Sequence, residues 1–247
     1  NPDHLNFETI SKLQSADLAN LPEISSSERI GSCITKPGKF IAIGLNFSDH
    51  AAETGAEVPS EPITFMKATS CINGPNDDIE IVSGSKKLDW EVELGIVIGK
   101  HTKHISEAQS QDHILGYCLV NDISEREWQI EKMGQWVKGK SHDTYGPIGP
   151  YLVTKDEIAD INNLKMSLDV NGQRMQTGNT NTMIFNVNVI VSYLSKFMSL
   201  QPGDIITTGT PPGVGMGMKP QQFLKAGDTM RLSIENLGEQ NSKVVAL

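Results

Sequence analysis

Asp89, Glu91 and Glu93 are acids at alternate positions, interleaved with Trp90, Val92 and Leu94 and followed by Ile96-Val97-Ile98. Successive side chains of a strand point to opposite faces. The pattern therefore predicts a strand with one acidic and one apolar face that runs into a core. Acids crowded at the edge of a core repel one another and lose hydration, and a bound cation relieves both costs. Asp122, beside Asn121, is a further acid at the end of another apolar run. Glu91, Glu93 and Asp122 offer only oxygen donors, which suit Mg2+, Mn2+ or Ca2+. Asp89, in phase with the glutamates, would be a fourth ligand or a group that orients another. The same pattern describes an exposed strand whose acids pair with surface Lys and Arg, and it does not choose between the two.

A second pair capable of chemistry is His50 and Glu53. Asn46 or Ser48 is expected to cap a helical turn that places them three apart on one face. Such a pair is a general base with its orienting carboxylate, or a solvated contact, and spacing alone favours the solvated contact. Lys67, Arg126, Lys138 and Lys140 fall near the same motifs. Three carboxylates and one divalent ion leave a net negative charge, so an anionic ligand would need these cations. Lysine is equally at home in solvent. Arg126 and Gln129 share a face of any helix that begins after Asp122.

These groups need elements to hold them. Phe40–Leu45, Ile63–Lys67, Ile79–Val82, Gly116–Asp122 and Ile205–Thr208 read as strands, as do Thr229–Ile234 and Lys243–Leu247. Asn171-Gly172 predicts a two-residue hairpin between Lys165–Val170 and the run after Arg174. Val187, Ile190, Val191, Leu194 and Phe197 recur at helical spacing and predict a core-facing helix. Ser124–Ile130 is expected to be helical. Gly209–Gly217 fits neither a phosphate-binding loop nor a dinucleotide fingerprint. Strands dominate without regular βαβ alternation. Residues 1–38 look peripheral. Phe7, Ile10, Leu13, Leu18 and Leu21 suggest a short helix capped at Asn6, Ser25–Ser27 a turn, and Lys36–Lys39 a boundary. The division expected is an N-terminal segment, 1–38, as the remnant of a small domain, and a catalytic domain, 39–247. The chain starts at Asn1, so missing N-terminal sequence is expected.

Composition narrows the function. The chain has 247 residues, enough for a full core, with 30 acids, 6 histidines and a net charge of -9. That balance argues against nucleic acid or an anionic membrane as partner. No apolar run approaches the ~20 residues that span a bilayer. Cys33, Cys71 and Cys118 are scattered, indicating neither a disulfide framework nor a zinc site, and a reducing, cytoplasmic location is expected. Asn46-Phe47-Ser48 matches the glycosylation pattern by chance in that setting.

The chain resembles the fumarylacetoacetate hydrolase family. The motifs that carry the resemblance are Gly44–Glu53, Asp89–Leu94, Asn121–Arg126 with Gln129, Lys138–Ser141, Asn171-Gly172 and Gly203–Gly213, in the family's order. Gln135–Lys140, Gly146–Pro150 and Gly178–Met183 bring it nearest to hydrolases of 2,4-diketo-3-deoxy sugar acids. The resemblance implies an α+β, mostly β fold, a mixed β-roll or sandwich, and a homodimer. It implies Mg2+ or Mn2+ on Glu91, Glu93 and Asp122, a water-activating pair in His50 and Glu53, and an active-site lysine in Lys140. Lys67, Arg126, Gln129 and Thr210 fall where the family contacts a small-molecule 2-oxo acid, and Asp89 becomes an orienting group. The implied reaction is hydrolysis of a C–C bond in a 2,4-diketo acid, such as the L-rhamnonate derivative, giving pyruvate and lactate. Oxaloacetate decarboxylation and dienoate decarboxylation or isomerisation stand as alternatives, with a non-catalytic diketo-acid-binding protein beside them.

Overall fold

The computed structural model describes residues 5–25 and 27–247. Ser26 of the expected Ser25–Ser27 turn lies outside them. The fold is mixed α+β and mostly sheet. A six-stranded sheet runs in the order Val153–Thr154, Ile114–Asn121, Val92–Ile98, Ile205–Thr207, Phe40–Gly44, Ile63–Lys67. All its neighbours are antiparallel except Phe40–Gly44 beside Ile205–Thr207. A five-stranded sheet has the order Gln173–Asn179, Lys165–Val170, Thr229–Ile234, Gly238–Ala246, Ile79–Ile81. It packs on the central Val92–Ile98 and Ile114–Asn121 strands, both buried along their whole length. Each sheet keeps two edges, so neither closes into a barrel.

Sequence explains much of this locally. Ile96-Val97-Ile98, apolar on both faces, sits in mid-sheet and is fully buried. Asn171 and Gly172 take φ of 51° and 76°, the left-handed pair a tight hairpin of this twist requires. The helix Val187–Phe197 buries Val187, Ile190, Val191 and Leu194 as its spacing predicts. Phe197, expected on the same face, is exposed instead, because the helix ends there and the chain turns toward Leu200. Asn6 caps the helix Phe7–Gln14 by accepting from Thr9 N–H at 3.0 Å. That helix stops before Leu18, whose side chain is outside the described residues, and none of its residues is fully buried.

Two expectations near the site need correction. The acidic stretch is not one strand. Leu88–Asp89 pairs with Ser124–Glu125, and Val92–Ile98 pairs with Ile114–Asn121. The register is continuous, with Asp89 opposite Ser124 and Val92 opposite Asn121, but the ladder breaks at Trp90-Glu91. There the Asp89 carboxylate takes Trp90 N–H at 2.8 Å and the Asn121 side chain takes Glu91 N–H at 3.3 Å, in place of strand carbonyls. Ser124–Ile130 is likewise not a plain helix. It is a two-residue strand followed by one wide π-type turn over Glu127–Glu131.

Candidate active site

Glu91 and Asp122 come together through that register. Asp122 N–H still donates to the Glu91 carbonyl at 2.9 Å, a pairing bond that survives the break, so both side chains share a face. Glu93, two residues along, lies on the same face. Oxygens of Glu91, Glu93 and Asp122 all lie within 4.8 Å of one another, and all three residues are buried. The acidic face is therefore inside the protein, and the exposed-strand reading falls.

Cations from separate elements meet the cluster. Lys140 Nζ bridges Glu91 Oε2 at 2.7 Å and Asp122 Oδ2 at 2.6 Å. Lys67 Nζ reaches Asp122 Oδ1 at 2.5 Å and also donates to the Lys140 carbonyl. Arg126 places Nη2 2.7 Å from Glu91 Oε1, donates through Nε to Asp89 Oδ2 at 2.9 Å and through Nη1 to Gln129 Oε1 at 3.0 Å. Burial alone would raise the Glu91 pKa, but Lys140 and Arg126 outweigh it and hold this carboxyl well below the usual range. Burial likewise opposes the Lys140 charge, while Asp122 and Glu91 overcome it and keep the ammonium above its ordinary pKa. Glu93 goes the other way: burial first, then the Asp122 and Glu91 charges, push its carboxyl well up.

That contrast tests the fit to a metal. Glu93 Oε2 accepts from Gly209 N–H at 2.8 Å and from the Thr207 hydroxyl. Among the described residues no Lys or Arg makes an ion pair with it. The protein compensates Glu91 and Asp122 and leaves Glu93 short of a cation. Three buried carboxylates with that imbalance fit a hard divalent ion.

Through Glu91 and Glu93 the cluster opens onto a cavity of about 290 Å3 lined also by His50, Gln129 and Thr210. His50 is buried on the short helix Ser48–Thr54. Its Nδ1 lies 3.1 Å from Glu53 Oε2, and Glu53 accepts from Gly213 N–H at 3.0 Å. The pair is thus tied to the 209–217 loop. The helix has no side-chain cap, correcting the expectation for Asn46 or Ser48. Asn46 instead donates to the Phe185 and Thr208 carbonyls, at 3.0 and 2.8 Å, and pins the end of one strand to another.

Lys67 and Lys138 stand away from the cavity, whereas Thr210 lines it. Lys67 does not line the cavity but stands behind Asp122. Lys138 is exposed and donates to the Lys132 carbonyl, away from the cluster. The Thr210 hydroxyl donates to the Val92 carbonyl at 3.0 Å and accepts from Gln176 Nε2 at 2.8 Å, so its proton is committed within the protein. Sequence reasoning missed Gln176. It is fully buried, takes Val92 N–H at 3.0 Å and donates to the Pro211 carbonyl at 2.8 Å. It sits in the second sheet without a local motif. A larger groove, about 580 Å3, runs past Asn171 and Gln222 but contains none of these groups.

Comparison with known proteins gives the family. The family model described as fumarylacetoacetate hydrolase C-terminal matches residues 39–245. A relative from Burkholderia ambifaria, named only as a hydrolase, is 59% identical over 239 residues, covering 96% of this chain and 85% of its own. The solved structure of a fumarylacetoacetate hydrolase from psychrophilic Exiguobacterium antarcticum has a TM-score of 0.87 at 36% identity, over 94% of this chain and 84% of that one. A 2-hydroxyhepta-2,4-diene-1,7-dioate isomerase from Mycobacterium marinum has a TM-score of 0.75 at 37% identity, over 85% and 75%. With its acidic triad in place and the match running through both sheets, this chain belongs to the fumarylacetoacetate hydrolase family of enzymes.

Proposed function

We propose that the chain hydrolyses a carbon–carbon bond of a 2,4-dioxo acid with a divalent ion, Mg2+ or Mn2+, held by Glu91, Glu93 and Asp122. The observation that supports this most is a buried three-carboxylate cluster, two members of which, Glu91 and Glu93, line one cavity with a carboxylate-oriented histidine. The bound ion would supply Lewis-acid polarisation at the 2-oxo acid end of the substrate. With Nδ1 held by Glu53, the Nε2 atom of His50 is left to take a proton from water. The hydroxide adds to the C4 carbonyl and the C3–C4 bond breaks. C4 leaves as a carboxylic acid and the electron pair stays on C3 as the enolate of pyruvate. Lys140, held as an ammonium, stabilises that negative charge. Protonation at C3 completes pyruvate. Arg126, fixed by Asp89 and Gln129, presents a cation to the substrate carboxylate.

Within this class the substrate we favour is a 2,4-diketo-3-deoxy sugar acid such as 2,4-diketo-3-deoxy-L-rhamnonate, which gives pyruvate and lactate. We take the working form to be a homodimer in the cytoplasm. Cys33, Cys71 and Cys118 are all free, in keeping with a reducing compartment. Decarboxylation or isomerisation needs the same enolate stabilisation but no activated water, and the His50–Glu53 pair favours hydrolysis. The test is pyruvate release, coupled to lactate dehydrogenase, across a panel of 2,4-dioxo acids. Release should vanish with chelator and return with Mg2+ or Mn2+. No turnover of any member with both metals supplied would overturn the proposal and favour a binding protein.

A further inference from the structure

The acid pole of the cavity accounts for one end of a substrate, and the opposite wall is of another kind. The Phe65 ring lies 5.3 Å from Lys140 Nζ. Trp136 meets Phe65 edge to face, with centroids 5.1 Å apart. Trp136 also packs so closely over Gly44 that a Cβ there would come within 2.5 Å of its ring. Ile63 and Ile130 continue the wall and are 37% and 47% exposed, which places them at the mouth. These side chains give the cavity an apolar wall on the side away from the carboxylates. The cations that line the cavity, Arg126 and Lys140, are both held at the acid pole by Asp89, Glu91 and Asp122. His50 is held by Glu53. Among the described residues, the remaining lining includes no Lys, Arg or His.

Resting on the reaction proposed above, we infer that the site selects 2,4-dioxo acids with a single carboxylate and an uncharged, largely apolar acyl end, and rejects dicarboxylates. With its 2-oxo acid end at the acid pole, a dicarboxylate brings its second charge against Trp136, Ile63 and Ile130. That charge loses water and gains no partner. An alkyl end there covers apolar surface and gains from leaving water. The dienedioate named for one structural neighbour carries two carboxylates and so falls in the class this cavity would reject.

The test compares kcat/KM for two 2,4-dioxo acids of equal chain length, one ending in methyl and one in carboxylate, with Mg2+ present. The monocarboxylate should be preferred by about tenfold or more, chiefly through KM. Ile130→Lys and Ile63→Lys place a cation at half-exposed positions and should narrow or reverse the ratio. Equal use of both acids, or a ratio unmoved in both variants, overturns the inference. If neither acid turns over, the reaction assignment fails separately. The same pair is then compared by titration calorimetry with Mg2+, where equal or tighter binding of the dicarboxylate, or binding of neither, overturns the selectivity.

Discussion

Asp89→Asn is the substitution whose cost the structure specifies best. Asp89 is fully buried, and its two oxygens take four donors. Oδ1 accepts from Trp90 and Gly215 N–H, at 2.8 and 2.7 Å, and Oδ2 from Arg126 Nε and Met216 N–H, both at 2.9 Å. Asparagine has the same shape but one acceptor oxygen, and its amide would face two of these donors. Arg126, only 3% exposed, would keep Glu91 and lose its second counterion. Removing one partner of a buried ion pair costs about 3–5 kcal/mol. In a chain of this size each kcal/mol lowers Tm by roughly 2–4 °C, so the drop should be roughly 6–20 °C by calorimetry. KM for a 2-oxo acid, measured well below the lowered Tm, should also rise, because Asp89 joins Arg126 to the 215–216 turn beside the cavity. A Tm within about 2 °C of the parent protein would refute the ledger of donors. A large Tm loss with KM unchanged would leave Asp89 a purely structural role.

Other outcomes follow from the same geometry. Burial, then Asp122 and Glu91, raise the Glu93 pKa in the folded protein above the ordinary 4.5. Without metal, the folded state keeps this proton at pH values where the unfolded chain has released it. Stability therefore falls as pH rises above about 4.5 until the folded group also ionises. Mg2+ or Mn2+ should oppose that fall, and Glu93→Gln should flatten it and abolish the metal-induced rise in Tm; a rise that survives in the variant would exclude Glu93 as a ligand. His50→Ala should abolish hydrolysis of 2,4-dioxo acids while leaving oxaloacetate decarboxylation largely intact, as read by pyruvate release. Equal loss of both activities would remove His50 from the role of base.

Features legible in the amino-acid order are those whose physics is local. Asn171-Gly172 turns the chain because both residues tolerate positive φ. The spacing from Val187 to Leu194 builds one apolar helix face. The alternation from Asp89 to Leu94 puts acids on one face of the chain. The strand break at Trp90-Glu91 was not legible, because the side chain that replaces a ladder carbonyl there, Asn121, comes from the neighbouring strand. The carboxamide of Asn46 has the chemistry of a helix cap. In the fold it serves backbone carbonyls more than a hundred positions away, at Phe185 and Thr208.

The row of acids shows most clearly where local chemistry stops. Its residue types and spacing already restrict it to oxygen donors on a common face. Whether that face meets water or a closed interior depends on the free energy of burying charge, and that is set by partners brought from elsewhere. Lys67 comes from an edge strand, Arg126 from the chain after the next strand, Lys140 from a short helix, and Gln176 from the other sheet. Together they make burial of Glu91 and Asp122 tolerable and leave Glu93 wanting a cation. The apolar wall of Phe65, Trp136 and Ile130 is likewise assembled from segments far apart in the chain. Short-range order thus defines the donors, while packing across both sheets defines their charge state and the far end of the substrate they can serve.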